Sequence, residues 1–335
     1  MAALDLPFLW AMLIAIAVLA YVLLDGFDLG VGILFPFLAD DAQRTTAMNS
    51  VAPVWDGNET WLILGGGGLF AVFPLAYAII MPALYAPIMA MLLGLVLRGV
   101  AFEFRGRTRR GRFLWDAAFA GGSFVATLSQ GITLGALLQG IPVDGRSYAG
   151  GWWDWLTPFS LVTGVALVAG YALLGSTWLV LKTERHLQNR ARNAAMLLAV
   201  VTIVLIGVFS LWTPLLQPVY MARWFSWPAL LYVAPVPLLV IGCGLQLLRS
   251  LNDHREAAPF LYAEGLFVLC YIGLGISFFP YIVPPSISIW HAAGPPESLG
   301  FLLAGAVVLL PVIIGYTAYA YWIFRGKVGE HAGYH

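Results

Sequence analysis

Nine apolar stretches dominate this sequence, and each is long enough to cross a lipid bilayer. A transmembrane helix needs about 20 mostly apolar residues. The stretches fall at residues 7–38, 47–81, 83–104, 114–140, 155–181, 194–213, 226–248, 259–282 and 299–324. Only short polar or Pro/Gly-rich segments separate them, so we expect residues 1–335 to form a single transmembrane domain. The pattern predicts an all-α polytopic membrane protein with nine transmembrane helices.

The composition excludes a soluble protein of this length. Hydrophobic residues make up 61% of the chain and charged residues only 10%, too few to cover a water-exposed surface. The net charge is zero, which argues against nucleic acid as a partner. Cys243 and Cys270 lie in apolar runs without metal-site spacing, and we interpret both as small core residues.

The basic residues predict the orientation in the membrane. With nine spans, 14 of the 17 Lys and Arg residues fall on the side that holds the C-terminus, and only Arg146 and Arg223 fall on the other side. The positive-inside rule then places the N-terminus outside and the C-terminus in the cytoplasm. The first residues, MAALDLPFLW, have no basic region and no clear cleavage site, so we expect a retained first span.

The loops and the tail hold all five histidines. These are His186, His254, His291, His331 and His335. An intramembrane haem normally takes a histidine from a helix, so we expect this chain to ligate no metal and any redox cofactor to sit on another chain. The longest irregular segment, 283–300, is predicted to lie outside without packed structure.

Four carboxylates fall inside the first two predicted spans. Span one contains LLDGFDLGVG with Asp25 and Asp28, and span two contains VWDGNETW with Asp56 and Glu59. If both arms of this hairpin are helical, Asp28 lies level with Asp56 and Asp25 with Glu59, about 20 and 25 Å from the cytoplasmic tip. Within each span the two acids, Asp25 with Asp28 and Asp56 with Glu59, are spaced i, i+3 and therefore share one helix face.

Two interpretations of these acids stay open. An ionisable side chain at membrane depth costs at least about 2.5–3.5 kcal/mol, so four together need a reason. In one interpretation the hairpin protrudes into the cytoplasm, and Asp56-Gly57-Asn58 is a wet turn or helix cap. In the other the acids form a proton path or a buried ionic network. Arg98 reaches a similar depth and is either its counter-charge or a side chain that extends to the interface.

Glycines accompany the acids on both predicted spans. Gly26, Gly30 and Gly32 follow them on the first, and the quartet Gly65, Gly66, Gly67 and Gly68 follows them on the second. Without a Cβ, such positions let neighbouring helices approach closely in a membrane.

Three motifs together resemble subunit II of the cytochrome bd-type quinol oxidases. They are LLDGFDLGVGILFPFL (23–38), MNSVAPVWDGNETWLILGGGGLFAVFP (48–74) and LRGVAFEFR (97–105). With the nine-span plan, the likeness covers the whole chain, and WDGNETW in a second span is its most specific part. The short length and the stop soon after RGK (325–327) are similar to the cyanide-insensitive branch of the family.

The resemblance implies a fold, a reaction and a partner. The implied fold is two four-helix bundles plus one extra helix, in the bacterial cytoplasmic (inner) membrane. The implied complex oxidises quinol and reduces dioxygen to water, with protons taken from the cytoplasm. Its haems, b type and d type or b in place of d, belong to subunit I, and this subunit ligates none. Small single-span accessory subunits, membrane lipid and a structural quinone are further partners that the resemblance allows.

The resemblance also implies roles for single residues. By motif match, Asp56 contributes to a proton route and Trp61 lies near an apolar dioxygen route. We extend the proton path to Glu59, Asp25 and Asp28, where Glu59 replaces the glutamine of many family members. Three further residues are expected at the subunit interface or as partners of a haem propionate: Arg98, Trp55 and Asn58.

Two other functions compete with this interpretation. A proton-coupled secondary transporter would use the acids for coupling, but transporters usually show inverted repeats and broken helices in both halves. Here the acids cluster in the first third, and spans six to nine carry no matching motif. A purely structural membrane scaffold is the other alternative. A haem spectrum of the native complex separates the three.

Overall fold

The computed structural model describes residues 5–108 and 110–328. The sequence predictions that concern residues 1–4, Arg109, His331 and His335 lie outside the described residues.

Helices form almost all of the described structure. They are α1 Leu6–Leu34, α2 Asp41–Val51, α3 Trp55–Val72, α4 Pro74–Ala83, α5 Tyr85–Arg105, α6 Arg112–Gln139, α7 Pro158–Lys182, α8 Arg185–Leu216, α9 Pro218–Phe225, α10 Ala229–Val233, α11 Pro235–Asn252, α12 Ala258–Phe278, α13 Ile289–Ala292 and α14 Pro296–Ile323. A 3-10 turn, Phe35–Phe37, follows α1. Two small antiparallel hairpins complete the elements: β1 Val143–Asp144 with β2 Ser147–Tyr148, and β3 Tyr281–Val283 with β4 Ile287–Ser288.

The described helices identify an all-α multi-pass membrane protein. Eight of them are long and apolar enough to cross a membrane, and α3 with α4 makes a ninth if that bent pair is counted as one span. The sequence prediction of nine spans is therefore met only when the bent pair is included.

The stretch 47–81, expected to be one span, instead contains two breaks. Helix α2 ends at Val51 beside Pro53, and α3 ends at Val72 before Pro74, where α4 turns away by 118°. A proline lacks the backbone N–H and disfavours helical geometry in the residue before it. Phe73, which precedes Pro74, accordingly leaves the helical region at φ −121° and ψ 62°.

Helix contacts divide the chain into two four-helix groups and one outlying helix. In the first group α1 packs against α3 and α6, and α5 packs against α6. In the second, α7 packs against α8 and α12, and α11 packs against α8 and α12. The groups join where α7 packs against α1 and α6, while α14 lies against α1 and α3. This is the arrangement that the resemblance implied.

Glycines set the closest approach between the two groups. A Cβ on Gly30 of α1 would lie 1.8 Å from the Tyr171 carbonyl oxygen of α7, and one on Gly175 would lie 2.3 Å from the Gly30 carbonyl carbon. Only a residue without a side chain fits at this crossing, so Gly30 and Gly175 fix how deeply α1 and α7 interlock.

The segment 283–300 is packed, and the expectation of an unstructured loop is wrong. It contains β4 and α13, and its Gly294 N–H donates to the Val72 carbonyl at the end of α3 (2.9 Å). The Trp10 indole donates to the Leu299 carbonyl at 3.1 Å. The segment therefore satisfies a carbonyl that the break before Pro74 leaves without a helical partner.

An ionic clamp joins α2 to α5 and α6 at the end where the basic residues collect. The Arg105 side chain is almost fully buried, donates to Asp41 and Asp116 at 2.6 Å each, and reaches the Thr45 hydroxyl at 3.1 Å. Arg112 donates to the second oxygen of Asp41. Because every partner belongs to this chain, the clamp holds α2 in place.

Candidate functional site

Arg98 on α5 joins two of the four predicted carboxylates. Its Nη1 donates to Asp25 Oδ1 at 2.6 Å, and its Nη2 donates to Glu59 Oε2 at 2.9 Å. The Arg98 and Asp25 side chains are fully buried, whereas a quarter of the Glu59 side chain is exposed. Arg98 is therefore a counter-charge for acids of its own chain. A direct contact with a propionate on another chain would require this packing to open.

Asp28 pairs with an amide, not with a cation. Its Oδ2 accepts from Asn58 Nδ2 at 2.7 Å, and the same Nδ2 donates to the Leu24 carbonyl at 3.1 Å. Asn58 Oδ1 accepts from the Tyr321 hydroxyl of α14 at 3.0 Å. Asn58 thus connects α1, α3 and α14. The Oδ1 atom of Asp28 and the Oδ2 atom of Asp25 are buried without a hydrogen-bond partner among the described residues.

A second line of polar groups leads from the acids toward α7, and sequence reasoning missed it. The Tyr21 hydroxyl, one helical turn before Asp25 on α1, accepts from Gln130 Nε2 at 2.7 Å. Gln130 Oε1 accepts from the Tyr171 hydroxyl at 3.1 Å. Single tyrosines and glutamines in apolar runs have no spacing signal. Only the packing of α1, α6 and α7 brings these three together.

Residue counting placed Asp56 level with Asp28, but the two side chains do not meet. Asp56 is exposed in the first turn of α3, and Asn58 occupies the position against Asp28. Successive helical residues are about 100° apart, so Asp56 and Asn58 point in nearly opposite directions. The other level pair is present in a bridged form, because Asp25 and Glu59 meet at Arg98.

The two tryptophans of the motif lie in different environments. Trp55 is half-buried, stacks on Phe102 at 4.8 Å between ring centroids, and has the Arg98 guanidinium 5.9 Å from its ring. Trp61 is buried against Ala17 and Tyr21 of α1. Its Nε1 has no hydrogen-bond partner within the described part of the chain.

The glycine quartet is divided between two surfaces. A Cβ on Gly65 would lie 3.0 Å from Val18, and one on Gly68 would lie 3.0 Å from Ile14, both on α1. A Cβ on Gly66 or Gly67 would meet nothing within 4 Å. Half of the quartet therefore packs within this chain, and the other half forms a flat strip on its surface.

An apolar groove runs between α1 and α14 beside Trp61. Its volume is about 400 Å³. It is lined by Leu9, Leu13, Leu303, Ala306, Val307, Leu310 and Pro311. Leu310 also packs against the cluster of Trp61, Ala17 and Tyr21. The groove and the buried indole are thus continuous.

The three described histidines do not lie in the packed interior of the helices. His186, His254 and His291 are exposed at a helix start, in a loop and in α13. No group of three or more His, Cys, Asp and Glu residues in ranges 5–108 and 110–328 could hold a metal ion. Cys243 and Cys270 are free and half-buried.

Comparison with known proteins gives one consistent result. The chain is 32% identical to cytochrome bd-I ubiquinol oxidase subunit 2 of Escherichia coli, over 96% of this chain and 95% of that protein. It is 29% identical to cytochrome bd ubiquinol oxidase subunit 2 of Bacillus subtilis, over 96% of each. A chain of the bd oxidase structure from Geobacillus thermodenitrificans superposes with a TM-score of 0.75 at 16% identity, covering 96% of this chain and 99% of that one.

The family profile decides the assignment. The profile of the cytochrome bd terminal oxidase subunit II family matches residues 6–324, which include every element from α1 to α14. The match therefore contains the acid cluster, which is Asp25, Asp28 and Glu59 with Arg98, and it contains the tryptophans and the glycine quartet. The chain belongs to the cytochrome bd terminal oxidase subunit II family.

Proposed function

We propose that this chain is the non-haem-ligating subunit of a respiratory quinol oxidase that reduces dioxygen to water in the bacterial inner membrane. Family membership over nearly the whole chain carries this proposal. The family implies haem, and we assign haem b and haem d, or b in its place, to a partner subunit I, because the described histidines of this chain are exposed. The transporter alternative is not favoured.

We propose that the acids of this chain hold and move protons for that reaction. One guanidinium, Arg98, pairs with Asp25 and Glu59, and a third buried carboxyl, Asp28, has only the Asn58 amide as its partner. Full ionisation would leave a net negative charge in an apolar site, which is unfavourable. One carboxyl of the cluster can therefore take up a proton while the buried Arg98–Asp25 ion pair stays intact.

The exposed end of this proton path is Asp56. Its carboxyl lies on the surface of α3, and Glu59 follows one helical turn later, partly exposed and bonded to Arg98. Residues spaced i, i+3 are neighbours on a helix surface. The sequence Asp56, Glu59, Asp25 thus leads from the surface of the chain to its interior, with Trp55 covering Arg98 from one side.

Trp61 and the apolar groove suit passage of dioxygen. Dioxygen is apolar and partitions into hydrocarbon-like regions, and the groove between α1 and α14 is lined only by apolar side chains. A lipid or a structural quinone would fit the same groove by the same chemistry. The N-terminus is proposed to lie outside and the C-terminus in the cytoplasm, as the basic residues indicate.

Purification from the native membrane tests the proposal. We expect mass spectrometry of the tagged complex to find a haem-bearing partner chain and any accessory subunits. We also expect reduced-minus-oxidised spectra to show b-type and d-type, or only b-type, haem signals. Quinol-driven oxygen consumption should accompany the complex. If the chain alone carries stoichiometric haem, or the purified complex lacks oxidase activity, the proposal is wrong.

A further inference from the structure

Lys182, the last residue of α7, is a buried cation that belongs to none of the three motifs. Its side chain is almost fully buried. Its Nζ donates to the carbonyl of Phe324 and, at 3.2 Å, to the carbonyl of Gly326. No ion pair among the described residues includes it. A buried ammonium is unfavourable unless it is hydrogen-bonded, so these backbone carbonyls are what stabilises Lys182 in its position.

Both carbonyls lie at the C-terminal end of α14. Phe324 is the residue at which the helix ends, and the last carbonyls of an α-helix have no partner within the helix. A cation at this end also interacts favourably with the helix dipole. In return, the Val328 N–H donates to the Lys182 carbonyl at 2.8 Å. Lys182 therefore holds the end of α14 and the residues after it against the end of α7.

Polar contacts fix α14 near its two ends. The Trp10 indole donates to the Leu299 carbonyl in the first turn (3.1 Å), and the Tyr321 hydroxyl donates to Asn58 in the last turn (3.0 Å). Between these two contacts, an apolar groove runs along the side of α14 that faces α1. The height and the rotation of the Tyr321 end therefore depend on the contact that Lys182 makes one turn later.

An aromatic contact places the same lysine beside the acid cluster. The Lys182 Nζ lies 5.0 Å from the centroid of the Trp178 ring, one turn earlier on α7. Trp178 stacks on Phe27 at 4.1 Å between ring centroids, and it meets Tyr321 edge-on at 6.4 Å. Phe27 immediately precedes Asp28 on α1. The lysine, the indole and the tyrosine thus form one packed unit next to Asp28.

We propose that Lys182 is a positioning residue of the oxidase: by holding the end of α14, it keeps Tyr321 hydrogen-bonded to Asn58 and keeps the Asn58 amide directed at Asp28. The Nδ2 group of Asn58 donates to both Asp28 and the Leu24 carbonyl, and its Oδ1 accepts from Tyr321. Without the tyrosine donor the amide is free to rotate, and its hydrogen bond to Asp28 is weakened. The effect on turnover rests on the proton function proposed above. The positioning of Tyr321 does not.

A double-substitution experiment on the intact oxidase tests the proposal. Lys182→Met removes the charge and the donors but keeps an unbranched side chain, and Tyr321→Phe removes only the hydroxyl. If Lys182 acts through Tyr321, each single substitution lowers kcat about fivefold, and the double variant is no slower than the slower single variant. The ratio of the rates in H2O and D2O should rise in all three variants, because proton supply then limits turnover.

Two further variants separate positioning from a general loss of stability. Lys182→Arg keeps the charge and the donors, so it should recover at least part of the rate. Arg325→Met is the matched control, because Arg325 donates to the Trp322 carbonyl of its own helix at 2.7 Å rather than to another helix. We expect hydrogen exchange in 324–328 to accelerate about tenfold or more in Lys182→Met, which loses a charge-assisted hydrogen bond, and not in Arg325→Met.

Two results would overturn the proposal. In the first, the effects of Lys182→Met and Tyr321→Phe on kcat multiply in the double variant, which shows that the two residues act independently. In the second, Tyr321→Phe is slow while Lys182→Met keeps the wild-type rate and isotope ratio. If Lys182→Met does not assemble, Lys182→Gln takes its place in the same comparison.

A failure of the proton function gives a different result. If Tyr321→Phe turns over at the wild-type rate, its hydroxyl has no part in proton supply, and normal turnover of Asp56→Asn as well would overturn the proton function. The positioning is then decided by the thermal unfolding midpoints of the same proteins. A double variant no less stable than the weaker single variant supports it, and losses that add overturn it.

Discussion

Arg98 Nη1 lies 2.6 Å from Asp25 Oδ1, and both side chains are fully buried. The same guanidinium holds Glu59 at 2.9 Å through its other terminal nitrogen. One cation thus fastens α5 to α1 and α3 in the middle of the first four-helix group. Charge-assisted hydrogen bonds of this length are among the strong polar contacts in proteins.

Replacing Arg98 by Gln should destabilise the complex strongly. Removal of one partner from a buried ion pair leaves uncompensated charge, at a cost of about 3–5 kcal/mol. We expect low yield and low haem content in the purified Arg98→Gln oxidase, and partial recovery when Asp25→Asn is added. The control is Arg107→Gln, which removes an exposed pair with Glu103. Full haem content and normal oxidase rates for Arg98→Gln would show that the ion pair is dispensable.

Asp56→Asn should separate proton supply from folding. Asp56 is exposed and the amide keeps its size, so the complex should assemble with reducible haems. Since an amide cannot take up a proton, we expect dioxygen reduction to slow by about tenfold or more, most at high pH where protons are scarce. Oxygen-electrode assays across a pH series make the measurement, with Asp144→Asn in the β1 strand as control. A wild-type rate at every pH would leave Asp56 with only a structural role.

Asn58→Leu should loosen α14. The substitution removes the bonds to Asp28, to the Leu24 carbonyl and from Tyr321, and it leaves buried polar groups without partners. Such a loss costs about 1–3 kcal/mol for each group. We expect a lower thermal unfolding midpoint of the purified complex and faster hydrogen exchange in α14. Tyr321→Phe, which removes one of the three bonds, should show a smaller change. Equal stability of all three proteins would contradict this network.

The effect of a glycine substitution on the yield of folded complex should depend strongly on its position. Gly30→Ala places a Cβ 1.8 Å from the Tyr171 carbonyl oxygen, so α1 and α7 must separate, and overpacking costs about 1–3 kcal/mol. Gly66→Ala meets nothing within 4 Å in this chain. We expect Gly30→Ala to lower the yield of folded complex and Gly66→Ala to leave this chain intact. Loss of the partner subunit in Gly66→Leu alone would place the interface on this strip.

The end of α14 should loosen at acidic pH. Glu256, in the loop before α12, accepts from Lys327 Nζ at 2.8 Å and from Gln188 Nε2 at 3.0 Å, and these hydrogen bonds lower the pKa of its carboxyl. A carboxyl whose pKa is lower in the folded than in the unfolded protein stabilises the folded contact at pH values above its unfolded pKa. That stabilisation is lost as the pH falls through its folded-state pKa. Hydrogen exchange in 324–328 should therefore be faster in Glu256→Gln at neutral pH and equal to wild type in acid. A difference that persists in acid would rule out this contact as the cause.

The sequence determined the class of structure and the location of the site. Spanning length and composition are local properties, so they predicted an all-α membrane chain with most of its helices. The depth of Asp25, Glu59 and Arg98 also follows from residue counts along a helix, and these three do meet. The WDGNETW motif and its neighbours identified the family before any packing was known.

Tertiary structure decided which side each residue faces and which residues it meets. Helix rotation, which residue counting does not fix, turned Asp56 to the surface and brought Asn58 to Asp28. Pro53 and Pro74 divided a stretch that was expected to be one span, because a hydropathy pattern carries no information on backbone N–H groups. Tyr321 lies far from the motifs in sequence, and only the packing of α14 against the first group brings it to Asn58, the partner of Asp28. Contacts between distant helices depend on side-chain fit along the whole interface, which no local pattern encodes.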